Sequence, residues 1–296
     1  MSAAHEGHTL KIGAIEVVAL SDGLVPLPTQ RLFPETPEEV WAPYRSRFPE
    51  AFDADGFMIN LGSFLVRTGG RTVLVDTGLG PISLWPTLWP TSPEARPGPA
   101  ELLDDLRAKG ARPEEIDTVF LTHLHGDHVG WNLSKDAAGD WSPTFPKARY
   151  LVHRADWERF SEPQFLDSGR REAAERNYLP LGDLGALDLI QDDHEVAPGL
   201  TAIHVPGHTP GHMGMLISSE NQGAVIVGDL VGGPAHVSEP DQPYTPDFDA
   251  AQAREARHRL LDRAEEGEMI VMGSHMTRPG WGRLIRWEGR RYWQAL

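Results

Sequence analysis

The chain has 296 residues, 43 acidic against 27 basic side chains for a formal net charge of −16, 13 His and no Cys. Without Cys there is no disulfide framework, thiolate zinc site, iron–sulfur cluster or cysteine nucleophile, and so acidic a surface repels phosphate backbones, so nucleic acid is not an expected partner. Any transition metal must be held by His and carboxylates. The hydrophobic content of 40% and charged content of 24% are those of an ordinary soluble globular protein. Residues 1–10 hold no Lys or Arg, and the apolar stretch 14–20 is broken by Glu16, so neither reads as a secretion signal. No run approaches the roughly 18 apolar residues of a membrane span. No membrane partner is expected, and a cytoplasmic location is.

The first ten residues are polar and read as loose. Residues 14–20 read as a strand closed by a turn at Ser21-Asp22-Gly23. Residues 24–58 form an aromatic-rich N-terminal arm with Phe33, Trp41, Tyr44, Phe48, Phe52 and Phe57. Within it Thr36-Pro37-Glu38-Glu39 spells a capped helix start. Residues 59–67 and 71–76 read as strands joined at Gly69-Gly70, a hairpin signal, and the second ends in Asp76-Thr77-Gly78. The Pro-rich stretch 79–99, with Trp85-Pro86 and Trp89-Pro90, is a long loop of the kind that is functional or disordered.

Residues 100–109 read as an amphipathic helix stopped by Gly110. Residues 116–121 form a short buried strand that runs into Thr122-His123-Leu124-His125-Gly126-Asp127-His128. A second round follows: strand 149–152, helices near 154–160 and 168–178, strand 201–205, then Pro206-Gly207-His208. Strands 213–218 and 223–228 end in Gly228-Asp229, a long helix fits 247–265, strand 268–272 leads to Gly273-Ser274-His275, and 281–293 read as a final hairpin. Strands interleaved with helices give an α/β class, and with no linker or shift in composition residues 1–296 read as a single domain.

Asp76, His123, His125, His208, Asp229 and His275 all fall just after short apolar strands, where a sheet fixes the backbone and ligand sites collect. The string His123-x-His125-x-Asp127-His128 packs four ligand-type side chains into six residues. Alternate residues at a strand end can aim two imidazoles at one ion, and the following turn can aim the next two groups at a second. His208 and His275 would complete the two sets, and Asp229 can bridge two cations about 3.5–4 Å apart. The plainer reading is a polar turn carrying surface histidines.

These motifs, with Pro206-Gly207-His208-Thr209-Pro210-Gly211-His212, resemble those of the metallo-β-lactamase superfamily of dinuclear metallohydrolases over about residues 12–290. The resemblance implies an αββα sandwich, two mixed β-sheets flanked by helices. It implies that His123, His125 and His208 bind one divalent ion, that Asp127, His128 and His275 bind the other, and that Asp229 bridges them. Zn is the expected metal, with Mn, Fe, Co and Ni as other ions that such sites accept. Asp76 would orient a ligating imidazole, and His212 would have a structural or supporting role. Two cations sharing a water would make hydroxide available near neutral pH for attack on a carbonyl or phosphoryl centre. Asp127 would then pass a proton to the leaving group.

Within the superfamily, Ala19-Leu20-Ser21-Asp22-Gly23 with Leu27-Pro28, and His275 with Pro279-Gly280-Trp281-Gly282, are most similar to the branch of methyl parathion hydrolase and the acyl-homoserine lactonases. The expected activity is hydrolysis of a small-molecule lactone or carboxylic ester with an apolar moiety. The second reading is phosphotriesterase-like action on aryl organophosphates, and the third is a non-catalytic metal-bound ligand-sensing protein. Arg278, Arg283, Arg286, Arg290 and Arg291 leave a glyoxalase-type thioesterase open.

Lactonases of this branch place a Tyr a few residues after the bridging Asp to bind the substrate carbonyl. Here no Tyr follows Asp229 before Tyr244, and His236 is the candidate substitute. The arm 24–58 and the loop 79–99 are the candidate pocket wall, and Phe33, Trp85, Trp89 and Trp131 are the candidate substrate-pocket residues. The alternative is that these aromatics pack in a core or a homodimer interface.

Overall fold

The computed structural model describes residues 6–54, 56–81, 100–135 and 139–296. Period-two alternation builds its first sheet. Along Ile15–Pro28, Val17 and Ala19 face one side while Val18 and Leu20 face the other; Phe64, Val66, Val73 and Val75 join the first face, Leu65 and Leu74 the second. Both faces are apolar, so both must be covered. The seven strands run in the order Thr9–Ile12, Ile15–Pro28, Gly56–Thr68, Arg71–Val75, Thr118–Phe120, Arg149–His153 and Leu187–Ile190. The first four pair antiparallel and the rest parallel.

The second sheet orders His194–Ala197, Leu200–His204, Met213–Ser219, Gln222–Ile226, Ile270–Met272, Trp281–Trp287 and Arg290–Ala295. It is antiparallel except between Gln222–Ile226 and Ile270–Met272, the pair joined through a long helix. The inner faces of the two sheets meet in one core, where Val17, Phe64, Val75 and Phe120 pack with Ala202, Met213, Met215, Ile226 and Met272. Helices Leu102–Ala108 and Arg154–Ser161 cover the outer face of the first sheet through Leu102, Leu106 and Phe160. Helix Ala250–Glu266 covers the second with the stripe Ala253, Ala256, Leu260, Leu261 and Ala264, spaced at helical period. Its start is capped by the Asp249 carboxylate, which accepts the Gln252 N–H at 3.0 Å. The result is the expected αββα sandwich. Among the described residues no helix is long and apolar enough to cross a membrane.

The hairpin at Gly69-Gly70 forms as expected. Thr68 pairs with Arg71, and the two glycines sit at φ 55° and 76°, the left-handed pair that a two-residue turn of this twist requires. Three other expectations give way. Thr9–Ile12 is an edge strand paired to Ile15–Val18, and Leu10 packs on the inter-sheet core, so this part of the N-terminus is not loose. Ser21-Asp22-Gly23 is an irregularity inside a strand that continues to Pro28, not a turn. Asp22 turns inward there, accepting from the Gly80 and Leu102 N–H groups, each at 2.8 Å, and from the Trp131 indole at 3.0 Å. Burial pushes its pKa up to about 6 against these donors. Thr36 caps no helix; its hydroxyl donates to Gln242 Oε1 at 2.8 Å, and the helix Glu38–Arg47 starts after Pro37.

The aromatic arm folds on itself. Phe33, Trp41, Tyr44, Phe52 and Phe57 form a buried cluster that also takes in Ala235 and Tyr244 from beyond the second sheet's ligand loops.

Candidate metal centre

The site begins with a clamp between two parallel strands. Arg71–Val75 ends at Asp76, whose carboxylate accepts both the Thr122 N–H and the Thr122 hydroxyl at 2.8 Å, directly after strand Thr118–Phe120. Asp76 adopts φ 61°, a left-handed conformation that Asp tolerates better than most residues. With Thr122 fixed, the next residues leave the strand in a set direction. His123 and His125 follow, and the one-turn helix Gly126–Val129 carries Asp127 and His128 round to the other side. His208 enters from the loop after Leu200–His204, Asp229 from the turn Gly228–Leu230, and His275 from the end of Ile270–Met272.

These seven side chains form two groups that share Asp229. Ligand atoms of His123, His125, His208 and Asp229 all lie within 4.8 Å of one another, as do those of Asp127, His128, Asp229 and His275. In the first, His125 Nδ1 is 3.1 Å from His123 Nε2 and 3.0 Å from His208 Nε2, with Asp229 Oδ2 3.8 and 3.5 Å from the same two Nε2 atoms. In the second, Asp229 lies 3.2 Å from His128 Nε2 and 3.1 Å from His275 Nε2, and Asp127 Oδ2 lies 3.7 and 3.5 Å from them. Such separations suit donor atoms arranged about ions held at ~2.0–2.2 Å.

Protonation tests whether cations fit. Burial, then the neighbouring imidazoles, holds His123 and His125 well below 6.5, so both rings are neutral and present lone pairs to a common point. In the second group burial is outweighed by the carboxylates. Asp229, Asp76 and Asp127 hold His128 well above 6.5, and Asp229 and Asp127 push His275 to about 9. Buried His128 Nε2 and Asp229 Oδ1 face each other without making a hydrogen bond. Buried polar atoms left without partners are uncommon and costly, and a cation would engage both. The residues present therefore fit two divalent ions.

Four of the five rings, those of His123, His128, His208 and His275, have a partner at the far nitrogen that sets tautomer and ring plane. His128 Nδ1 meets Asp76 Oδ2 at 2.8 Å. His208 Nδ1 meets Asp247 Oδ1 at 2.9 Å, and buried Arg257 donates to Asp247 Oδ2 at 3.0 Å. His275 Nδ1 donates to the Asn60 carbonyl at 2.9 Å, and His123 Nδ1 lies 3.0 Å from the Thr122 hydroxyl. Asp247 and Asn60 carry no motif of their own and are visible only in the fold, and Thr122 opens the ligand string but gains its role only through Asp76. His212 Nε2 accepts the Asp229 N–H at 3.0 Å and so fixes the backbone of the carboxylate that the two groups share.

A family model described as the Metallo-beta-lactamase superfamily matches residues 63–275. The chain belongs to the metallo-beta-lactamase superfamily. It is 27% identical over 221 residues to an N-acyl homoserine lactonase of Bacillus sp, covering 72% of this chain and 79% of that one. It is 28% identical over 189 residues to the N-acyl homoserine lactonase AiiB of Agrobacterium fabrum, covering 58% and 63%. In structure it is similar to the hydrolase AbOPH, with a TM-score of 0.80 at 24% identity over 97% and 95% of the two chains. It is also similar to AidC, a dizinc quorum-quenching lactonase, with a TM-score of 0.77 at 22% identity over 97% and 96%. At such identities the structural likeness speaks for the fold. As a member of this superfamily related to lactonases, the protein is a metal-dependent hydrolase.

In this metallo-beta-lactamase superfamily protein the substrate-side residues fall differently from expectation. His236 offers nothing to a substrate. Its Nδ1 accepts the Gly232 N–H at 3.1 Å and its Nε2–H donates to the Gln242 carbonyl at 3.3 Å, so both nitrogens are spent on the loop. Burial, then Arg257, holds its pKa well below 6.5. That loop returns Tyr244 to the site, where its ring stacks on His208 at 5.8 Å and 22°. The return needs glycine at 232, since a Cβ there would lie 2.8 Å from the Tyr244 ring and 3.2 Å from its hydroxyl. Phe33 is fully buried behind Tyr244, 4.7 Å from Trp41 and 5.2 Å from Tyr244 between ring centres, and belongs to the arm's core, not a pocket wall. Trp131 spends its indole N–H on Asp22 and packs on the outer cluster of the first sheet. Trp85 and Trp89 lie outside the described residues.

Proposed function

We propose that the protein is a dinuclear metallohydrolase, with zinc as the best-suited ion, that opens a lactone or carboxylic ester carrying an apolar group. N-acyl homoserine lactones are the first class to test. The observation that carries this reading is the pair of four-ligand groups sharing Asp229. Two divalent cations held there would supply Lewis acidity toward the substrate carbonyl and an activated water near neutral pH.

The chain's own residues position and move protons. Asp76, Asp247 and the Asn60 carbonyl hold the rings of His128, His208 and His275 in their planes. Tyr244 is raised well above its ordinary pKa of 10, by burial and then by Asp229 and Asp127, so its hydroxyl stays protonated. It donates to the substrate carbonyl oxygen as charge grows there. The Asp127 side chain is 18% exposed where Asp229 and His275 are each 4% exposed, which makes it the ligand open to the leaving group. It would take the proton released by the attacking water and hand it to the departing alcohol oxygen.

The test is metal analysis of protein purified without added metal, followed by a panel of lactones, aryl esters and aryl phosphotriesters. About two ions per chain and turnover of lactones or esters are expected. Fewer than one ion per chain with no gain on reconstitution removes the dinuclear reading, and turnover of phosphotriesters alone removes the lactone and ester reading. Tyr244→Phe is expected to lower kcat about 100-fold with metal content unchanged. Loss of metal in that variant would assign Tyr244 to holding His208 instead.

A further inference from the structure

The three rings of the first ligand group arrive on two segments far apart in sequence, and one carboxylate joins those segments. Asp156 lies in the first turn of helix Arg154–Ser161 and is fully buried. Its Oδ2 accepts the Thr209 hydroxyl at 2.8 Å and its Oδ1 the Gly211 N–H at 2.6 Å, both just past His208. The Leu124 N–H, between His123 and His125, is a further donor to the same carboxylate. The His208 loop comes this close because residue 211 is glycine. A Cβ there would lie 2.6 Å from the Asp156 backbone nitrogen and 2.8 Å from His153 Nδ1.

Packing alone does not call for a charge at this place. Three hydrogen-bond donors reach Asp156, and among the described residues no Lys, Arg or His pairs with it. Burial pushes its pKa up to about 6 against those donors, so it is ionised at neutral pH. A buried carboxylate without a counter-charge is costly to the fold. The neighbouring ligand group is where a negative charge is scarce. His123, His125 and His208 have only the shared Asp229, whereas the second group has Asp127 beside Asp229, and Asp76 behind His128. Asp247 stands behind His208, but its charge is taken up by Arg257 at 3.0 Å.

We propose that Asp156 is a positioning residue for the first of the two ions: it locks the His123–His125 segment and the His208 loop to one another, and it adds behind them a negative charge that the imidazoles do not bring. The ion in this statement rests on the dinuclear reading above; the locking of the two segments does not.

The experiment uses the full chain and separates charge from locking. Asp156→Asn keeps the shape and removes the charge. Stepwise competition of zinc-loaded protein with a chelator is expected to show one metal step weakened about 10–100-fold, the step that Asp247→Asn also weakens, and the step that Asp76→Asn weakens unchanged. Asp156→Ala removes the acceptors as well. In its metal-free form the Leu124 and Gly211 amides are expected to lose protection from hydrogen exchange together, while the Gly273 amide, bonded to the Gly280 carbonyl near His275, keeps its own. If Asp156→Ala does not fold, the two metal steps of Asp156→Asn decide alone. Equal weakening of both steps, or of neither, overturns the proposal, and so does unchanged exchange at Leu124 and Gly211. A chain that takes up no metal would remove the dinuclear reading, and the exchange of Leu124 and Gly211 would still decide the locking, so the two failures are distinguishable.

Discussion

The two ligand groups share a carboxylate and differ in what surrounds their nitrogens. His123, His125 and His208 crowd one another, and crowding plus burial keeps His123 and His125 neutral. His128 and His275 sit among Asp76, Asp127 and Asp229 and are drawn toward the protonated form. The first group is built to offer lone pairs; the second is built to attract positive charge. A cation entering the second must displace protons, and one entering the first need not. The groups should therefore respond differently to acid, to loss of their supporting residues and to loading, although they share one bridge.

The largest effect should come from the shared residue. Asp229→Asn removes the one carboxylate that both groups share and puts a neutral amide in its place. Metal content is expected to fall to one ion per chain or fewer, and kcat on the order of a thousandfold or more. Two retained ions with normal turnover would show that Asp229 does not bridge.

Next in size are the supports, which should act on one group each. Asp76→Asn should weaken the group containing His128, and Asp247→Asn the group containing His208, by about 10–100-fold in metal affinity. Stepwise competition with a chelator reads the two affinities separately. Asp247→Asn carries a further cost, because buried Arg257 loses its carboxylate partner. Breaking such a pair costs about 3–5 kcal/mol, so this variant alone should melt several degrees lower. A uniform loss at both groups from either substitution would break the comparison.

The same contrast explains what could be read from the sequence. The candidate ligands were legible because the segments that carry them leave the ends of apolar strands, where the sheet fixes the backbone; His123, Asp229 and His275 lie nearest those ends. The sandwich was legible for a related reason, since Val17 and Val18, or Phe64 and Leu65, serve opposite apolar faces and demand cover on both. The supports were not legible. Asp247 lies 39 residues from His208, and the Asn60 contact uses a backbone carbonyl, which no side-chain pattern can announce.

Phe33 and Trp131 fall away from the expected pocket for one physical cause. Aromatic composition says that a residue wants burial, not which surface buries it. Phe33 found Trp41 and Tyr244, and Trp131 found a carboxylate for its N–H. Tyr244 reaches the site through a loop bent by His236 and permitted by Gly232, a path set by tertiary contacts. Asp22 looked like a turn residue because its acceptor role depends on Gly80, Leu102 and Trp131, none of them near in sequence.

The smallest effect separates the two groups by sign. In metal-free protein the pKa of His275 is about 9 against an ordinary 6.5. Its contribution to stability is complete below 6.5 and is lost as pH rises through 9, because the folded state holds a proton that the unfolded chain has released. His128, also held high, acts in the same direction. His123 and His125 act oppositely: held low, they make the unfolded chain the better proton acceptor, and stability falls as pH drops below 6.5. The alkaline side is the cleaner test, since Asp22 and Asp156, both pushed up to about 6 chiefly by burial, are largely ionised before that window opens. Metal-free Tm is expected to fall by a few degrees, roughly, between pH 6.5 and 9, and His275→Asn should flatten part of that slope. Loading with zinc should remove it, because the nitrogens that held protons are then occupied and binding tightens as pH rises. A metal-free Tm that climbs across this window would mean that the carboxylates do not govern the second group, and the distinction between the two groups would fall with it.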